Sequence, residues 1–132
     1  MGINRKDNTE KRQMIVYRNF RIHASRFLPN LDNEHICKNM HGHTFNITVY
    51  ISGKIDKTTG FVIDFYDVDK IFNKIIHNKI DHKILNDVSG LENPTSEILC
   101  KWIWDNLSCH IKGLHKIKVS EDFGTGIIYQ PK

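Results

Sequence analysis

Between His43 and Gly53 the chain reads HTFNITVYISG, and through its middle every second residue, Phe45, Ile47, Val49 and Ile51, is apolar. A period of two gathers those four side chains on one face of a strand, whereas a helix would scatter them around its circumference. The stretch therefore demands a sheet with one face covered, and the rest of the chain must supply the partner strands and the cover. MIVYRNFRIHA (Met14 to Ala24) is rich in β-branched and aromatic residues and reads as a second strand. KIDKTTG (Lys54 to Gly60) is turn material, and the short apolar run FVIDF leads out of it.

The cover comes next. From Asp64 onward Phe65, Val68, Ile71, Phe72, Ile75, Ile76 and Ile80 recur at steps of three and four, the stripe of an amphipathic helix. A second helix follows ENPT (Glu92 to Thr95), with Asn or Thr as cap, Glu97 in the first turn, and Ile98/Leu99, Trp102/Ile103 and Leu107 on one face; Gly113 is expected to end it. KIKVSE (Lys116 to Glu121) and GIIYQ (Gly126 to Gln130) close the chain as strands around the turn DFGT. The order β-β-α-α-β-β separates strands from helices and predicts an α+β domain over residues 14–132, preceded by a polar, aperiodic extension over 1–13 that is expected to be disordered.

Apolar residues make up 39% of the 132, enough for a modest core that association could extend. No apolar run approaches the length of a membrane span and the first residues lack the apolar core of a signal peptide, so the reading is a soluble, cytoplasmic chain with its three cysteines as thiols. The charge of +4 comes from scattered lysines, which suits a small polyanionic substrate at least as well as nucleic acid.

Several residues carry chemistry. In CKNMHGHTF (Cys37 to Phe45), His41 and His43 are two apart, so on a strand both imidazoles leave from one face, as two ligands of one zinc ion would, or as two satisfied histidines at a strand end. Cys37 adds a thiol as a base or nucleophile, a further zinc ligand, or a buried packing group. Asp81 and His82 in IDHKILND put an acid and an imidazole just past the first helix, as a functional pair or a surface turn. Glu121 shares strand parity with Ile117 and Val119, so its carboxylate points where core residues point and needs a partner: a cationic or multi-donor ligand, or more commonly a salt bridge to Lys or Arg.

Taken together and in this order, CKNMHGHTF, GFVIDF, IDHKILND, LENPTSE, KWIWD and KVSE resemble the 6-pyruvoyltetrahydropterin synthase family over about residues 14–130. The similarity is closest to its bacterial branch, the 6-carboxy-5,6,7,8-tetrahydropterin synthases of queuosine biosynthesis. The resemblance implies a tunnelling fold (T-fold), an antiparallel four-stranded sheet with two helices on one face, assembled as a dimer of trimers into a homohexamer. It implies a lyase that converts 7,8-dihydroneopterin triphosphate to 6-carboxy-5,6,7,8-tetrahydropterin with release of acetaldehyde and triphosphate, with 6-pyruvoyl or hydroxymethyl pterin as alternative products.

By the same resemblance His41 and His43 match zinc ligands, Cys37 the catalytic base, Asp81 and His82 its relay, and Glu121 the anchor whose two oxygens fork onto the pterin ring. The family's third zinc histidine falls at Arg26 here, in HASRFLPN, and arginine has no lone pair for a metal. His23 is preferred as a replacement ligand, although its odd offset from Arg26 requires a bulge; His35 and Cys37 are alternatives. Otherwise Arg26 fills the place as a fixed cation in a pterin-binding paralogue without the zinc chemistry. His77, His110 and His115 are expected in capping or solvated positions, and Cys100 and Cys109 as packing residues of the second helix.

Overall fold

The computed structural model describes residues 13–121 and 124–131, so the extension expected over 1–13 lies, except for Gln13, outside the described residues. Strands β1 (Met14–Arg26), β2 (His41–Gly53), β3 (Leu114–Glu121) and β4 (Thr125–Tyr129) form one antiparallel sheet in the order β1-β2-β3-β4. Helix α1 (Phe65–Phe72) continues through a π-helical stretch (Asn73–His77) into a last α-turn (Asn78–Ile80), and α2 (Ser96–Leu107) follows a connecting segment.

The alternation in β2 does what its period requires. Phe45, Ile47, Val49 and Ile51 are buried, together with Ile22 and Ala24 of β1 and Ile117 and Val119 of β3, and this inner face packs on Val68, Phe72, Ile76 and Ile80 from the first helix and Leu99, Ile103 and Leu107 from α2. Asp64 caps α1 by accepting from Tyr66 N–H, and Thr95, not Asn93, caps α2 by accepting from Ile98 N–H at 3.1 Å. Phe65 and Ile98, both expected on the buried stripes, each sit in a first helical turn and are 43% and 39% exposed.

Three boundaries differ from expectation, and the first two bear on the site. Both long strands extend to a common end, β1 to Arg26 and β2 back to His41, and their register runs unbroken from Met14 opposite Gly53 to Arg26 opposite His41. The second helix ends at Leu107, and Gly113 instead begins the entry to β3. At φ +84° Gly113 brings its backbone so near β2 that an added Cβ would lie 2.4 Å from the Ser52 carbonyl, while Ser52 N–H donates to the Gly113 carbonyl at 2.8 Å. Among the described residues no helix is long and apolar enough to cross a membrane.

Candidate active site

The inner face of the sheet ends in polar side chains. Parity carries the buried face of β1 from Ile22 and Ala24 to Arg26, and that of β2 from Phe45 back to His43 and His41; Phe45 in turn pairs with Glu121 of β3. Arg26, His41, His43 and Glu121 thus share one face at one end of the sheet.

Arg26 is 4% exposed, and a guanidinium so buried must be compensated. Its Nη2 donates to Glu121 Oε1 and its Nη1 to the Pro94 carbonyl at 3.1 Å and to Ser96 Oγ at 3.4 Å, with the guanidinium 5.1 Å over the Phe45 ring. Ser96 Oγ donates to the same Glu121 Oε1 at 2.6 Å. Just past Arg26 the chain is latched, since Phe27 N–H and C=O both bond the Asn86 side-chain amide, at 3.0 and 2.8 Å. Burial raises the Glu121 pKa, but the Ser96 hydroxyl and the charges of Arg26 and His43 outweigh it and hold the carboxyl below its ordinary value. The carboxylate expected to point inward does so, and its partner is the commoner of the two alternatives, a salt bridge.

These groups border a cavity of ≈280 Å³ between the N-terminus of α2 and strands β3 and β4, lined among others by Arg26, Ser96, Glu97, Glu121 and Thr125. Arg26 and Ser96 both use Oε1 of Glu121, which fills the acceptor capacity of that oxygen and leaves Oε2 to face other donors. The fork of two free carboxylate oxygens expected from the sequence is therefore half engaged.

His41 and His43 pack edge to face with ring centroids 4.4 Å apart. His41 Nδ1 lies 2.6 Å from the Asn39 carbonyl, which can only accept, so Nδ1 is the donor of that bond. Cys37 lies in a 3-10 turn (Ile36–Lys38), half-buried, with its N–H donated to His35 Nδ1 at 3.0 Å and its carbonyl accepting from Leu28 N–H at 2.9 Å.

A second cluster sits at the outer edge of β1. Asp81 Oδ1 accepts from His23 N–H at 2.9 Å, and its Oδ2 lies 2.7 Å from His82 Nδ1 and 3.2 Å from His77 Nε2. Burial raises the Asp81 pKa, but the His23 N–H, the His82 bond and the charges of His77 and His82 outweigh it and the net direction is down. The neighbours Asp81 and His82 touch because His82 adopts φ +58°, a conformation costly for a residue with a side chain, which also lets its N–H donate to the His23 carbonyl at 2.6 Å. A cleft of ≈330 Å³ beside them is lined by His23, Ser25, Gly42, His43 and His82.

Ser96 carries no signal of its own in the sequence, and His77, expected in a capping or solvated position, instead reaches Asp81. Ser96 follows directly on the helix cap, and His77 stands four residues before Asp81, so helical spacing was the available signal for the second. Cys100 is buried as expected, with burial pushing its thiol up to about 11, whereas Cys109 is exposed, beyond the end of α2.

The metal expectation fares differently. A catalytic zinc ion takes three protein ligands and keeps one position open. His41 and His43 are disposed as two, but His23 shares the outer face with its register partner Thr44, to whose Oγ1 its Nδ1 lies 3.0 Å, and no bulge interrupts β1 and β2 to bring it round. Arg26 is engaged with Glu121, and among the described residues no three His, Cys, Asp or Glu side chains converge to hold a metal. The residues present do not fit a zinc ion held by three ligands of this chain.

Residues 15–132 match the family model for 6-pyruvoyl tetrahydropterin synthase. The chain is 38% identical over 112 residues to a 6-carboxy-5,6,7,8-tetrahydropterin synthase of Synechocystis sp., covering 81% of this chain and 85% of that one. It is 33% identical to the human 6-pyruvoyl tetrahydrobiopterin synthase, covering 80% of each. The fold superposes on that of Caenorhabditis elegans 6-pyruvoyl tetrahydropterin synthase with a TM-score of 0.83 at 22% identity, over 92% of this chain and 97% of that one. With the expected sheet, helices and family match all in hand, the chain belongs to the 6-pyruvoyl tetrahydropterin synthase family, whose tunnelling fold it shares.

Proposed function

We propose that the protein binds a pterin in the cavity at Glu121 and acts on 7,8-dihydroneopterin triphosphate, forming 6-carboxy-5,6,7,8-tetrahydropterin with release of acetaldehyde and triphosphate. Family membership supports a tetrahydropterin synthase-type function in pterin biosynthesis, and the likeness to the Synechocystis enzyme favours this product and hence a place in queuosine synthesis. The observation that carries the reading is a part-buried anionic anchor: Glu121 lines the cavity, its pKa held down by Ser96 and Arg26, and both of those bonds fall on Oε1, so Oε2 is left outside them. A pterin offers ring N–H and amine donors suited to such an acceptor, and a net charge of +4 favours approach of a triphosphate.

In this reading Cys37 is the base that takes a proton from the substrate side chain as a hydroxyl becomes a ketone, and Asp81 orients His82 to relay protons. The His82 side chain is 75% exposed at the edge of β1, where it lines a cleft together with His43 and is open to a neighbouring copy as well. Exposed Ile15, Tyr17 and Ile128 on β1 and β4 favour association of copies, in line with the proposed cytoplasmic homohexamer. The zinc ion expected through His41, His43 and His23 is not part of the reading, because the residues do not fit it.

The test is to incubate the protein with 7,8-dihydroneopterin triphosphate and identify the products by mass. The 6-carboxy product is expected, with turnover in Cys37→Ala lower by roughly 10²-fold or more. A 6-pyruvoyl or hydroxymethyl product would move the assignment within the family. The engagement of Glu121 Oε1 by Arg26 favours one second reading, a pterin-binding relative without the chemistry, for which pterin would bind and no substrate would be consumed.

A further inference from the structure

We propose that Arg26 is the resident cation of this site, a guanidinium fixed beside His41 in the place where a third imidazole would complete a metal centre, so that the pocket operates without a bound divalent metal. The inference deepens the pterin-site reading and rests on it only for the identity of the ligand.

Positions 26, 41 and 43 lie on one face of two paired strands, with 26 directly opposite 41. Three imidazoles there would form the three-ligand set of an open zinc site. An arginine cannot take part, since its guanidinium has only donors, stays charged at every accessible pH, and repels a second cation nearby.

The substitution is built into its surroundings. The Arg26 charge is matched by Glu121, its Nη1 is held by Pro94 and Ser96, its plane lies over Phe45, and the following residue is latched to Asn86. Swinging the side chain out to admit a metal would leave Glu121 without that partner and break the buried pair, an unfavourable exchange. The Arg26 Nε–H is buried and has no acceptor among the described residues, and a buried donor of this kind marks a place that lacks an oxygen. An oxygen of a bound ligand's side chain is the chemistry that would complete it, in the role a metal would otherwise hold.

The experiment is zinc content per chain, by plasma mass spectrometry, of protein purified without chelator, for wild type, His41→Ala, Arg26→His, and Arg26→His combined with His41→Ala. Wild type is expected to hold under about a tenth of an equivalent, Arg26→His roughly one, and the double variant to fall back to the wild-type level. Roughly stoichiometric zinc in wild type that is lost on His41→Ala would overturn the proposal, as would a folded Arg26→His protein that takes up none. If Arg26→His does not fold, cobalt titration of wild type decides: no tetrahedral visible absorption is expected, and its appearance would refute the idea. Because metal content is read without pterin, a protein that bound neither zinc nor pterin would sink the functional reading and leave this one standing.

Discussion

Glu121→Gln should destabilise the protein more than Arg26→Met, although both break the same ion pair. In Glu121→Gln the guanidinium stays in a position where only 5% of its side chain is exposed, keeping its charge with the Pro94 carbonyl at 3.1 Å and the long 3.4 Å contact to Ser96 as support. Arginine cannot lose its proton to escape. Breaking a buried pair by removing one partner costs about 3–5 kcal/mol, and since Gln retains one acceptor oxygen the lower end, about 3 kcal/mol, applies. In Arg26→Met the abandoned carboxylate is 21% exposed and can take up a proton, so about 1–2 kcal/mol is expected. The double variant should cost less than the sum by at least about 1 kcal/mol, the coupling of groups in direct contact. Urea unfolding at pH 7 and one fixed chain concentration measures all three. Glu121→Gln within about 0.5 kcal/mol of wild type, or Arg26→Met costing more than Glu121→Gln, would refute the reasoning.

Further outcomes follow from the same geometry. Glu121 and Asp81 both have pKa values below their ordinary ones, so their stabilisation is fully present above the unfolded carboxylate range near pH 4 and is lost as pH falls through their folded values. The urea midpoint should hold between pH 7 and about 5 and drop below about 4, with a shallower acid limb in Arg26→Met; a loss beginning near pH 6.5 would point to histidine instead. His82→Gly, at φ +58°, should leave stability unchanged or raise it by up to about 1 kcal/mol while turnover falls roughly 10²-fold, and a large loss of stability would contradict the strain at that residue. Gly113→Ala should cost about 3 kcal/mol or more, because its Cβ would meet the Ser52 carbonyl at 2.4 Å, whereas Gly60→Ala, at φ +79° with nothing within 4 Å, should cost only about 1 kcal/mol; equal midpoint shifts would contradict the account.

Strand and helix were legible wherever a buried face imposed its period. Phe45 to Ile51 announced β2, the three- and four-residue steps announced the first helix, and the parity of Glu121 with Ile117 and Val119 correctly placed a carboxylate on the inner face. What periodicity could not show was where elements begin and what spans between them. That β1 runs on to Arg26, directly opposite His41, depends on pairing between strands far apart in sequence, and so does the reach of Arg26 across Phe45 to Glu121. The unbroken register that keeps His23 on the outer face is likewise a property of two strands together. The contact between Asp81 and His82 rests on one left-handed residue, and Gly113 serves a close approach to Ser52 that its place after a helix disguised as a stop.

The central claim, that Glu121 anchors a pterin at the Arg26 end of the sheet, is tested most directly by pterin binding. Titration of wild type and Glu121→Gln with a fluorescent pterin, followed by quenching, should show saturable binding by wild type and an affinity weaker by roughly 10-fold or more in the variant, the effect of losing a charge-assisted hydrogen bond. Equal affinity in two folded proteins would contradict the account.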